Sequence, residues 1–252
     1  MRNYLILLIS LTLFSSFKID KTGPWIVSKK NNIVLYTRPA NYSNSPSPDS
    51  MEIDKILNFQ GEDYEYINSF LKTNFNEQVK LYLYNYDEAT MKIRTNAGGG
   101  ANTKLKEIYF AFNTSLSKKG DFMGNHELTH VIASNALGYP ATQLMNEGYA
   151  NALSKGYGGR PLVDYIKYRV NKGDILSPVE LLNANRDQYG DAIFYPQVGY
   201  FINWLIESYG IEIVNKLYPL KAKQIKKEIL HLIGKEFSEI EGEYFKYLEK
   251  LK

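Results

Sequence analysis

The run GNHELTHVIAS, residues 124–134, concentrates the residue types most able to do chemistry in this chain. His126 and His130 stand four positions apart, with Glu127 between them, and the chain holds only 3 histidines. On an α-helix, positions i and i+4 lie one above the other, about 40° apart around the axis. Two imidazoles so placed can face one cation. Glu127 falls on the same side, close to that cation without entering its coordination sphere. A zinc ion in such a site keeps an open position for a water, whose pKa it lowers toward about 7. Glu127 would then take up the proton as that water attacks a carbonyl and pass it to the leaving amine. Leu128, Val131, Ile132 and Ala136 take the opposite face and are expected to pack into a core. The bland alternative is a solvated helix that spells the pattern by accident.

Tetrahedral catalytic zinc takes three protein ligands, and only two are local here. Downstream, LMNEGYANAL at 144–153 follows a short turn containing GYP at 138–140. A helix turning back on the first would bring Glu147 to face the histidines, and its small neighbours let two helix backbones approach. Asn151, one turn after Glu147, is placed to accept the outer N–H of His126. One catalytic Zn2+ held by His126, His130 and Glu147 is the cofactor this spacing calls for.

These residues need elements that position them. WIVSKKNNIVLYTR (25–38) reads as two β runs around a Lys-Lys-Asn-Asn turn, and PANYSNSPSPDS (39–50) as a polar, proline-rich loop. EDYEYINSFLKTNF (62–75) places Tyr64, Ile67, Phe70 and Leu71 on one helical stripe. VKLYLYNY (79–86) has strand composition. EIYFAFN (107–113) alternates Ile108, Phe110 and Phe112 against Tyr109 and Ala111, the pattern of a half-buried strand. From Asp121 the period becomes helical. One helix is expected at about 121–137, ending at Gly138, a second at about 142–154, and a third at about 196–209 with Pro196 in its first turn. IEIVNKLYPL and the tail from Lys221 supply further amphipathic helix. The fold class is therefore α+β: one domain over 22–252, a β-rich part at 22–115 feeding a helical part at 121–252.

With HELTH at 126–130 and NEGYA at 146–150, the chain resembles a gluzincin zinc metallopeptidase. It is most similar to the peptidase MA-like family of the thermolysin and aminopeptidase N superfamily, by motif order over about 80–250. The resemblance implies a gluzincin-like catalytic domain, with His126, His130 and Glu147 as ligands and Glu127 as general base. YPQVGYFINWLIESYG (195–210) is similar to the family's tyrosine-led helix, with matching Leu205 and Gly210. That similarity makes Tyr195 the donor to the oxyanion of the tetrahedral intermediate, with Tyr200, inside the helix, as its rival. In NAGGGANTKLKEIYF (96–110) it suggests a glycine-containing edge strand where Gly99, Gly100 and Ala101 contact an extended substrate. A surface turn is the other reading of those glycines. Two departures stand out: thermolysin-like members place a carboxylate where this chain has Asn151, and the gap from His130 to Glu147 is short.

Composition narrows the partners. A net charge of +3, with 44% hydrophobic and 23% charged residues, fits a globular protein and gives no argument for nucleic acid. Residues 1–17 show a positive start, the apolar run YLILLISLTLF and a small-residue exit, the layout of a secretory signal, either cleaved or kept as an N-terminal anchor. The expected location is outside the cytoplasm: secreted, periplasmic or cell-surface. With no cysteine, neither a lipidated Cys anchor nor a disulfide is available. The expected activity is zinc-dependent hydrolysis of peptide or protein substrates, endo- or aminopeptidase. The alternative is a catalytically silent binding or envelope scaffold on the same fold. Segments GYGGRPLVDY and NANRDQYGDAIF are expected at the cleft rim, where Arg160 and Arg186 are surface residues by default or meet a substrate carboxylate. His231 reads as a packing or surface residue.

Overall fold

The structure is a computed structural model that describes residues 23–42, 46–85, 88, 99–112, 124–154, 156–158, 160–184 and 186–251. The signal segment at 1–17 lies outside the described residues. Among the described residues no helix is long and apolar enough to cross a membrane.

Strands β1 (Ile26–Lys30) and β2 (Ile33–Thr37) form the expected hairpin, with Asn31 at φ 50° in its turn. Asparagine tolerates that left-handed conformation better than most residues. Helix α1 (Ser50–Leu71) then crosses to β3 (Val79–Asn85), which pairs parallel to β2. Strand β5 (Glu107–Phe112) pairs parallel to β3, and β4 (Gly99–Asn102) closes the sheet antiparallel to β5, giving the order β1-β2-β3-β5-β4. Ile33, Leu35, Leu81 and Leu83 are fully buried on the face that meets the helices. On the other face Tyr36, Tyr82 and Tyr109 stack across three strands, with ring centroids 4.5 and 5.5 Å apart. Strand β5 is therefore not half-buried as its alternation suggested, because Ile108 and Tyr109, on opposite faces, are both buried.

Helix α1 begins at Ser50 instead of 62 and ends at Leu71 instead of 75. Asp49 accepts the Glu52 amide (2.8 Å) while Glu52 accepts the Asp49 amide (3.0 Å), a reciprocal cap at the end of the proline-rich loop. Tyr64, Ile67 and Leu71 form the buried stripe, as expected, with Phe70 packed at its margin.

The helical part opens with α2 (His126–Ala136) and α3 (Gln143–Leu153). It continues through α4 (Leu162–Lys172), α5 (Pro178–Asn183), α6 (Arg186–Tyr189) and α7 (Asp191–Tyr209), and ends in α8 (Ile211–Leu217), α9 (Ala222–Ile233) and α10 (Phe237–Glu249). Helix α2 starts at His126, later than the expected 121: Gly124 (φ 58°) and Asn125 precede it as non-helical residues, and 121–123 lie outside the described residues. Leu128, Val131 and Ile132 are fully buried as read from the pattern, whereas Ala136, at the last turn, is exposed. Pro196 does not sit in a first turn: α7 starts at Asp191, so the proline lies inside it. The carbonyl it leaves without an amide belongs to Ala192, which is exposed and open to water. A single cluster of buried residues runs from the inner sheet face through α1, α2, α3 and α7 to α10.

Helices α3 and α7 meet through glycine. A Cβ on Gly148 would lie 2.5 Å from Ile202 Cγ1, and one on Gly199 would lie 2.6 Å from Asn151 Cβ and 3.1 Å from the Asn151 carbonyl carbon. Helix propensity alone makes Gly→Ala favourable by about 1 kcal/mol. Overpacking a tight crossing costs about 1–3 kcal/mol, and here it would push the helix carrying Glu147. Gly199→Ala is therefore expected to lower the thermal midpoint by several degrees, as read by calorimetry. A raised midpoint would show that the crossing is loose.

Candidate metal centre

The sequence brings His126 and His130 together at the start of α2, where their Nε2 atoms lie 3.2 Å apart. Glu147 reaches them from the second turn of α3, its Oε2 standing 3.5 Å from His126 Nε2 and 3.6 Å from His130 Nε2. These three form the one group among the described residues with the donor types and spacing to hold a metal ion. A tetrahedral ion bound at about 2.0–2.1 Å sets its ligand atoms about 3.3 Å from one another, so a zinc-sized cation fits this triangle. The carboxylate also needs one: Glu147 Oε2 is buried with no hydrogen-bond partner among the described residues, and a buried polar atom left so costs about 1–3 kcal/mol. His130 Nδ1, the ring nitrogen outside the triangle, is buried without a partner as well, and an ion held at Nε2 does not supply one.

The two helices are pinned, and the carboxylate oriented, by side chains around the donors. Asn125, buried ahead of α2, donates from Nδ2 to the Leu153 carbonyl at the end of α3 (2.8 Å). Gln60 of α1 donates to the Gly124 carbonyl (3.0 Å), fixing the entry to α2 from the sheet side. Thr142 caps α3, accepting the Met145 amide at 3.2 Å. Asn146 donates to Glu147 Oε1 (3.0 Å), which leaves Oε2 to face the imidazoles. Asn151 donates from Nδ2 to the Glu147 carbonyl (2.8 Å), bonding back along its own helix instead of to His126, so its expected role beside that ring is not seen.

Charge follows geometry. Burial works to raise the Glu147 pKa, but the two imidazoles outweigh it and hold the carboxyl well below its ordinary range. Burial works to lower the His130 pKa, and the Glu147 carboxylate beside it reverses that, raising it. The carboxylate is thus present as an anion facing two imidazoles.

The triad opens into a cleft of about 1390 Å³. Glu127 lines it, half-buried, and makes no hydrogen bond or ion pair with the described residues. Gly99, Gly100 and Ala101 line the cleft too, and they belong to β4, the terminal strand of the sheet. Asn135 on α2 donates to the Thr103 carbonyl just past that strand (2.9 Å), tying the strand end to the histidine helix. The alternative reading as a plain surface turn does not describe these residues.

Tyr195, half-buried on α7, lines the cleft with its ring centroid 6.0 Å from that of His126. Burial, then the charge of Glu147, push its hydroxyl up to about 12, against the pull of Arg186. Tyr200 is buried elsewhere, with its hydroxyl 3.3 Å from that of Tyr247. Arg186 lines the cleft and its Nη1 donates to the Tyr195 hydroxyl at 2.8 Å, a contact sequence reading did not supply. Arg160 is exposed and contributes a backbone bridge to Tyr157. His231 is an exposed residue, 3.4 Å from Glu228 on its own helix. No protein-family model and no curated protein sequence matches this chain.

Proposed function

We propose that this chain is an exported zinc-dependent peptidase of the gluzincin type, hydrolysing peptide bonds with Glu127 as general base. The observation that carries the proposal is the triangle of His126, His130 and Glu147 donors, 3.2–3.6 Å on a side, beside Glu127, which has no hydrogen-bond or ion-pair partner among the described residues and lines the same cleft. When bound, zinc supplies a Lewis acid that polarises a carbonyl and makes water acidic near neutral pH. Every other part comes from the chain. Strand β4 offers main-chain groups at Gly99, Gly100 and Ala101 with which an extended peptide can pair as an added strand. Glu127 accepts a proton from the attacking water and returns it to the leaving nitrogen. Tyr195 donates a hydrogen bond to the substrate oxygen as negative charge builds there. Export rests on the signal layout of residues 1–17.

The test is hydrolysis of casein and of a quenched-fluorescence peptide library by protein carrying one equivalent of zinc. Cleavage that stops with a chelator and returns with added zinc is expected. Metal-replete protein that leaves every peptide intact would instead favour a catalytically silent binding scaffold.

A further inference from the structure

Among the described residues, one hydrogen bond reaches the Tyr195 hydroxyl, donated by Arg186 Nη1 at 2.8 Å. A guanidinium carries donors and no acceptor, so the phenol oxygen must be the acceptor in this pair. Its own proton is then directed elsewhere, and among the described residues no carboxylate or carbonyl takes it. Two other phenols differ in this respect: Tyr109 gives its proton to Glu107, and Tyr209 gives its proton to Glu243. Tyr195 faces the cleft beside His126 with its proton uncommitted.

Arg186 is itself held in place. Its backbone amide donates to Gln143 Oε1 at 2.7 Å, and Gln143 opens α3, one turn before Glu147. Its ion pair is loose, with Nε 3.7 Å from Oδ1 of the exposed Asp187. One end of Arg186 is thus tied to the helix that carries Glu147, and the other to the hydroxyl on α7.

From this arrangement we infer that Arg186 is a positioning residue that fixes Tyr195 as a hydrogen-bond donor into the cleft. The inference rests on the peptidase reading for its catalytic meaning, and on the hydrogen bond alone for its structural content. By occupying one lone pair with a charged donor, Arg186 sets the rotation of the hydroxyl and strengthens the bond that the hydroxyl can offer. A developing oxyanion would meet a proton already aimed at it, without a reorganisation step.

Two readouts test this. In protein labelled with 13Cζ-tyrosine, the resonance lost in Y195F identifies Tyr195. It should shift in R186M and move back toward its wild-type position in R186K, whether or not any peptide is cleaved. In peptide hydrolysis, R186M should lower kcat by about 10- to 100-fold with KM nearly unchanged, and should cost nothing further in a Y195F background. An unmoved Tyr195 resonance in R186M would overturn the inference. So would a loss expressed in KM and retained in full with Y195F, which would mark Arg186 as a direct contact for a substrate carboxylate. If wild-type protein cleaves nothing, the peptidase reading falls while the resonance still decides whether Arg186 orients Tyr195.

Discussion

Replacing Glu127 with glutamine is expected to lower kcat for peptide hydrolysis by about 10²- to 10⁴-fold, the range for loss of a positioned proton acceptor. Metal affinity and fold should be unchanged. Glu127 lies on the histidine helix and lines the cleft, but it stands outside the triangle formed by His126, His130 and Glu147. It makes no hydrogen bond or ion pair with the described residues, so its removal breaks no structural contact there. Glutamine keeps the volume and the reach of the side chain while removing the basic oxygen. Steady-state kinetics beside a zinc titration of the same preparation separates the two effects. Full activity in E127Q would eliminate Glu127 as the base.

Replacing Glu147 with glutamine is expected to weaken zinc binding by at least about 100-fold, more than the loss typical of a partner outside the ligand set. This carboxylate supplies the only anionic donor of the triangle, and its charge is what raises the pKa of His130. The loss should also appear in stability, because a metal that binds only the folded chain stabilises it by mass action. At free zinc about 100 times its Kd, that linkage contributes about 2.7 kcal/mol, or an upward shift of about 5–10 °C in the thermal midpoint. Wild-type protein should show the shift and E147Q should show little of it under the same conditions. Competition with a chromophoric chelator gives the affinity directly. Equal zinc affinity in the two proteins would remove Glu147 from the ligand set.

The site was more legible in the sequence than the elements around it. His126, Glu127 and His130 declare themselves because one helix turn fixes their relation, and Glu147 follows because Gly148 makes its helix a close neighbour of others. Strands β1, β2, β3 and β5 were readable from β-branched and aromatic runs. The first turns of α1 were hidden because polar Asp49 and Ser50 close a proline-rich loop, and only the Asp49–Glu52 cap marks the start. Helices α4, α5 and α6 were missed for a different reason: the last two run for 6 and 4 residues, too short for a 3.6-residue period to emerge. The early start of α7 was masked by Pro196, which reads as a first-turn residue although α7 begins at Asp191.

Long-range hydrogen bonds were the other hidden layer. Nothing local in Gln60, Asn125 or Arg186 indicates that they reach Gly124, Leu153 and Tyr195. Asn151 shows the reverse error: helical spacing put it near His126, but its amide found the Glu147 carbonyl one turn back, the bond that asparagine commonly makes within a helix. The contact between Asn146 and Glu147 Oε1 was within reach of reasoning, since a carboxylate that turns one oxygen to a metal needs a donor for the other.

Zinc-edge X-ray absorption on protein loaded with one equivalent of zinc is the most direct measurement of the central feature. It should report a single site with two imidazole nitrogens and a carboxylate oxygen at about 2.0–2.2 Å, and the carboxylate should vanish from the shell in E147Q. Protein that takes up no zinc, or binds it in a shell indifferent to that substitution, would leave the meeting of two imidazoles and a glutamate without a metal to explain it.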